Sequence, residues 1–213
     1  VGSEMCIRDR PYKTLDDVFE QVEFFVDAVS DYKSDFILFP EYFNAPLMAK
    51  FNHLGEAQSI RGLAQYTEEI RERFVNLAIS YNINIITGSM PLLKEDGALY
   101  NVGYLIRRDG SYEMYEKVHV TPDEQKSWGL SGGKMVKTFD TDCARIGVLI
   151  CYDVEFPELS RIMADQGMQI LFVPFLTDTQ NGCSRVRVCA QARAIENECF
   201  VVIAGSVGNL PRV

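Results

Sequence analysis

The sequence is poor in the residues that mark several large protein classes. Its 213 residues include two histidines, one tryptophan and six cysteines. The cysteines lack the close paired spacing of a zinc site. Cys143, Cys151, Cys189 and Cys199 fall in or beside regular elements rather than in a disulfide framework, which fits reduced thiols and a cytoplasmic setting. No apolar run approaches the length that crosses a membrane, and the N-terminus lacks the basic-then-apolar layout of a signal peptide. No basic tract offsets the formal charge of −9, which argues against a nucleic-acid partner. Arg185, Arg187 and Arg193 lie close together, but within one helical stretch. Repeats and low-complexity tracts are also missing. What remains, 47% hydrophobic and 24% charged, suits one folded domain.

Hydrophobic spacing divides the chain into helices and short strands. A helix is expected from Thr14 or Asp16, with Leu15, Val18, Val22, Phe25, Val26 and Val29 inward. Phe36-Ile37-Leu38-Phe39 reads as a buried strand stopped by Pro40. Residues 46–65 form an irregular stretch with a short helical segment, long enough to shape a pocket wall. Thr67 is the expected cap of a second helix, with Glu68 and Glu69 in its first turn. Strands are expected over 83–89 and 100–106, followed by a turn at Arg108-Asp109-Gly110-Ser111 into a strand at 112–115. A long loop over 121–134 precedes residues 136–139, which are expected to pair with 145–150. Helix 156–165, strand 169–175, helix 184–195 and strand 200–205 complete the series. This mixture implies mixed sheets with helices outside and a site built from loops at one edge.

A single domain is expected over 11–213. Residues 1–10 show neither pattern, which leaves a foreign or misread leader and native chain equally open. Because the chain stops in a loop directly after a strand, the natural protein is expected to continue.

The chemistry concentrates at three strand ends. Cys151 follows the apolar run 146–150 and precedes Phe156-Pro157-Glu158-Leu159, which opens a helix. Such a junction presents a side chain at the mouth of a sheet and leaves backbone N–H groups free nearby. A thiol there can act as a nucleophile, and the donors can hold an oxyanion. Glu41 stands past one strand and Lys117 past another. Singly, each has an ordinary reading: a buried structural thiol, a solvent-facing carboxylate, a surface lysine. Together, a base, a cation and a thiol point to covalent hydrolysis of a C–N bond. His119 offers a rival base through Cys–His pairing, but its place between Val118 and Val120 favours a packed, hydrogen-bonded ring.

These segments strongly resemble the nitrilase, or carbon–nitrogen hydrolase, superfamily. Phe39-Pro40-Glu41 is similar to its first motif, Glu116-Lys117-Val118-His119 to its second, and Cys151-Tyr152-Asp153-Val154-Glu155-Phe156-Pro157-Glu158 to its third. Ala190-Gln191-Ala192-Arg193-Ala194-Ile195-Glu196-Asn197 resembles a late helix of the family. The resemblance runs from Tyr12 to Pro211 with the motifs in order. It implies an α-β-β-α sandwich, a Glu41–Lys117–Cys151 triad, and Glu124 supporting the lysine, with Asp123 close enough to confuse that assignment. Tyr152 would contribute its backbone N–H to the oxyanion hole. Tyr42, Glu155, Phe156, Phe175 and Thr177 are expected at the substrate, and Trp128 either on a covering loop or packed against the domain.

The activity implied is cysteine-dependent hydrolysis of a small non-peptide carboxamide through a thioester, releasing ammonia or an amine and a carboxylic acid. No cofactor and no metal are expected. A nitrile, an N-carbamoyl amide or acyl transfer would fit the same triad, and a catalytically silent scaffold or metabolite-binding protein is the non-enzymatic rival. The expected partners are a small-molecule amide and further copies of the chain, as a homodimer or larger homo-oligomer. Neither nucleic acid nor membrane is expected.

Overall fold

The computed structural model describes residues 6–7, 12–51 and 53–207. Helix α1 (Leu15–Asp31) begins with a reciprocal cap. The Asp17 N–H donates to Thr14 Oγ1 at 3.1 Å, and the Thr14 N–H donates to the Asp17 carboxylate at 2.9 Å. The cap satisfies donors that the helix leaves unpaired and contributes about 1 kcal/mol. After strand β2 (Phe36–Leu38), a tight helical turn (Ala45–Phe51) and helix α2 (Glu56–Ala64) occupy much of the stretch expected to be irregular. Helix α3 (Thr67–Ser80) is not capped by Thr67, because Tyr66 holds the cap position. The Thr67 hydroxyl donates instead to the Pro91 carbonyl at 2.6 Å, tying the helix to the neighbouring sheet.

The strand expected over 83–89 is two strands, β3 (Asn84–Ile86) and β4 (Met90–Leu93). Both run antiparallel to one edge of β5 (Leu99–Ile106): β3 faces Leu105 and Ile106, and β4 faces Leu99 to Val102. The break falls at Gly88, whose φ is +69°. A Cβ there would strike the Pro40 carbonyl, so only glycine permits both this dihedral and the close passage of the segment leading to Glu41. Strand β6 (Tyr112–Glu116) lies along the other edge of β5, and β2 pairs in parallel with β3, giving a five-stranded sheet.

The second sheet also has five strands, β7 (Phe139–Asp140), β8 (Arg145–Val148), β9 (Ile170–Phe175), β10 (Phe200–Val207) and β1 (Cys6–Ile7), ordered β1-β10-β9-β8-β7. Neighbours are parallel except at β7–β8. The hairpin expected from residue 136 is short, since only Phe139 with Ile146 and Asp140 with Arg145 are paired. Of residues 1–10, Cys6 and Ile7 pair with Ser206 and Val207. The rest of that segment, like 208–213, lies outside the described residues.

Strand alternation sorts side chains between two layers. Ile37 and Ile85 face α1 and α3 through Val22, Val26 and Phe74. Phe36 and Ile86 face the second sheet, where the Phe36 ring sits 5.2 Å from that of Phe172. Helices α4 (Pro157–Asp165) and α5 (Gln180–Asn197) join the second core through Leu159, Met163, Val186 and Ala190. The result is the expected α-β-β-α sandwich. Among the described residues, no helix is long and apolar enough to cross a membrane.

Candidate active site

Glu41, Lys117 and Cys151 stand at ends of elements from both sheets. Pro40 stops the first of these segments, and Glu41 follows with its side chain turned inward and only 2% of the residue exposed. Lys117 follows β6 directly and is equally buried. Cys151 opens a tight helical turn (Cys151–Glu155) between β8 and α4. Its φ is +48°, a left-handed conformation that costs a non-glycine residue about 1–3 kcal/mol and is held only where surroundings enforce it. The Asp153 N–H donates to the Ile150 carbonyl at 3.0 Å and the Phe156 N–H to the Asp153 carbonyl at 3.1 Å, which close the turn. Tyr152 N–H lies in its first residues, where a helical segment has no internal acceptor to offer.

The three segments converge. Lys117 Nζ donates to Glu41 Oε1 at 2.8 Å and to Glu124 Oε1 at 2.9 Å. Glu41 Oε1 also accepts from Asn101 Nδ2 at 3.0 Å, and Oε2 accepts from the Leu176 N–H at 2.9 Å. Glu124 is held by Tyr42 OH at 3.2 Å and by the Thr121 N–H at 2.8 Å. Cys151 Sγ lies 3.5 Å from the Leu176 carbonyl, so residue 176 touches carboxylate and thiol through its two backbone groups. Burying these charges costs several kcal/mol each, and the dense donor set around both carboxylates is what offsets it.

The electrostatics follow from that burial. Desolvation raises the Glu41 carboxyl above the ordinary glutamate value; Lys117 pulls it down and Glu124 pushes it up. Desolvation also lifts the Cys151 thiol well above its usual range, with the Glu41 charge adding and Lys117 opposing. Burial pulls the Lys117 ammonium down, but Glu41 and Glu124 outweigh it and hold it above its ordinary value. At rest the site therefore holds a protonated thiol beside a carboxylate of raised basicity and a fixed cation.

Glu41, Lys117, Glu124 and Cys151 line one cavity of about 700 Å³ together with Tyr42, Tyr152, Glu155, Thr177 and Trp128. Two residues expected at the substrate do not line it. The Phe156 ring stacks on His119 at 3.7 Å, and the buried Phe175 packs its ring against Gly205. Glu155 lines the wall with its carboxylate accepting from Arg185 Nε at 2.7 Å. His119 is also outside the lining. Its Nδ1 is 3.1 Å from Asp153 Oδ1, and the buried Asp153 carboxylate accepts the Val118 and His119 N–H groups at 3.1 and 2.7 Å. Asp153 thus joins the segment after Lys117 to the turn that begins at Cys151. Trp128 does both things open to it, lining the cavity while its ring meets Tyr42 edge-on at 5.5 Å. Among the described residues, no group of three or more His, Cys, Asp or Glu is placed to hold a metal ion.

Sequence reasoning missed Asn101 and the Leu176 N–H. An asparagine inside the apolar run of β5 was the available signal, since a buried polar side chain needs a partner. A backbone donor carries no side-chain signature.

Two sheets enclosed by helices, with a lysine between two glutamates facing a thiol, define a hydrolase-like class of site. The carbon–nitrogen hydrolase family model matches residues 5–212, and the chain belongs to that family. It is 48% identical to the probable hydrolase YhcX of Bacillus subtilis over 93% of this chain, and spans 39% of that relative's length. It is 31% identical to the deaminated glutathione amidase of Synechocystis, covering 98% of this chain and 78% of the relative. With the human omega-amidase NIT2 the identity is 31%, over 84% of this chain and 65% of the relative. The fold matches the carbon–nitrogen hydrolase of Helicobacter pylori G27 with a TM-score of 0.80 at 21% identity, over 95% of this chain and 72% of that one. An amidase from Nesterenkonia sp. matches with a TM-score of 0.79 at 23% identity, over 98% and 78%.

Proposed function

We propose that the chain hydrolyses a small non-peptide carboxamide through a thioester on Cys151. The observation that carries this reading is the buried Glu41–Lys117–Glu124 array opening into the same cavity as the thiol. The amide carbonyl sits over Sγ. As sulfur attacks, Glu41 takes the thiol proton, and the carbonyl electrons move onto oxygen. Lys117 and the Tyr152 N–H stabilise that oxyanion, which counts for more in a water-poor site than in bulk solvent. Collapse of the tetrahedral adduct breaks the C–N bond, and Glu41 returns the proton to the departing ammonia or amine. Glu41 then deprotonates a water that attacks the thioester; collapse breaks the C–S bond, Glu41 returns that proton to sulfur, and the carboxylic acid leaves.

A carboxylate of raised pKa suits this cycle because it must both accept and give a proton near neutrality. The amidase names of two relatives favour an amide over a nitrile. Water as the acyl acceptor distinguishes this reading from acyl transfer.

A panel of simple aliphatic amides tests it, with ammonia and carboxylic acid measured together. Equal yields of the two are expected, with Glu41→Gln slowing turnover by about 10²–10⁴-fold. Failure of the folded chain to release ammonia from any amide, or unimpaired turnover by Glu41→Gln, would sink the proposal.

A further inference from the structure

The wall beyond the triad has a charge of its own. Besides Glu41, Lys117 and Glu124, the cavity is lined by Glu56, Asp123, Glu155, Asp178 and Arg185. These come from separate places: the first turn of α2, the residue capping the Glu124–Trp128 turn, the Cys151–Glu155 turn, the approach to α5 and α5 itself. Arg185 is the sole cation of this outer set, and Glu155 already engages its Nε at 2.7 Å. Glu56, Asp123 and Asp178 form no ion pair or side-chain hydrogen bond with described residues. Glu56 and Asp178 stand at helix starts, where an acid is at home. Asp123 stands at a helix start too, as the cap residue of the Glu124–Trp128 turn, although its side chain caps no backbone N–H.

Three aromatic rings, Tyr42, Trp128 and Tyr152, share the lining. Ring faces attract cations and do nothing for a carboxylate. A cleft of one sign also concentrates ligands of the other.

Resting on the hydrolase reading above, we propose that the substrate is an amide whose far end carries an ammonium or a similar cation. Its carbonyl meets Cys151 while the cation lies among Asp123, Asp178, Glu56 and the aromatic rings. The inner array reinforces the choice, because its two carboxylates outnumber its one ammonium. A carboxylate-bearing amide would have only Arg185 to recognise it, and Glu155 competes for that guanidinium.

Three amides of matched length separate the cases: δ-aminovaleramide, valeramide and glutaramate, which end in an ammonium, a methyl group and a carboxylate. The expected order of kcat/KM is that order, with the ammonium favoured over the methyl by roughly tenfold, the scale of a few partly screened charge pairs. About 0.5 M salt should shrink the ratio, as should the double change Asp123→Asn with Asp178→Asn, because both weaken the field acting on the cation. Equal rates for all three would overturn the inference and leave the hydrolase standing. A preference for glutaramate that vanishes in Arg185→Ala would overturn it in favour of an anionic substrate. Hydrolysis of none of the three by the folded chain would overturn this inference and the hydrolase reading together.

Discussion

Lys117 is the residue on which the electrostatics of the site turn. Among the described residues, its ammonium is the only charge placed to hold both Glu41 and Glu124, at 2.8 and 2.9 Å, with its side chain 1% exposed. Lys117→Met leaves two buried carboxylates facing each other, and breaking a buried pair in this way costs about 3–5 kcal/mol. The cost depends on pH. Burial already raises the Glu41 carboxyl, and removing the opposing lysine raises it further. Between the unfolded and folded pKa values the folded state then binds more protons than the unfolded, so stability falls as pH rises. Thermal unfolding should show the variant close to wild type in the ordinary carboxylate range and about 10 °C below it at neutral pH. An offset that does not change with pH would contradict this account of the cluster. Glu41 and Cys151 were legible in the sequence because each follows an apolar run, at a proline in one case and before a helix in the other. Asn101 was not, since nothing in its neighbourhood states what its amide faces, and it fixes Glu41 from a strand distant in sequence.

At the scale of elements, β5 and β6 place the cation. Gly103 in β5 sits opposite Tyr115 in β6, and the Tyr115 hydroxyl donates to the Gly88 carbonyl at 2.6 Å. A Cβ on Gly103 would lie 2.5 Å from the Tyr115 ring and inside the shell of the Gly88 oxygen. Gly103→Ala must therefore displace the ring or the break between β3 and β4, the places from which Lys117 and Glu41 are positioned. Urea denaturation should show a loss of about 1–3 kcal/mol, the usual cost of overpacking. No loss would mean that this packing is slack. Helix limits were largely readable from apolar spacing, but the β3–β4 break was not. Thr87-Gly88-Ser89 interrupts the apolar residues of 83–93, but three such residues also fit a strand end, and the left-handed dihedral at Gly88 that makes the break is a property of the fold. The shortness of β7 was equally hidden, because Val136, Thr138 and Phe139 are strand-favouring residues whether or not they pair.

The whole molecule puts the proposed triad where its two sheets meet. Glu41 and Lys117 come from the first sheet, Cys151 and the Leu176 backbone from the second, and the cavity lies between their ends. Mixed sheet with helices outside was legible from the alternation of helices and short apolar strands, while the two-sheet sandwich was implied by the family resemblance of the motifs. The charge of the outer wall was not, because Glu56, Asp123 and Asp178 look like ordinary surface acids until the fold brings them around one space. The central claim is that Cys151 becomes acylated during turnover. Rapid-quench intact-mass measurement on an amide substrate, followed by peptide mapping, tests it directly. The account predicts a gain equal to the acyl group on the Cys151 peptide, and neither adduct nor turnover in Cys151→Ala. Turnover that continues in Cys151→Ala, or an acyl group mapped to another residue, would contradict it.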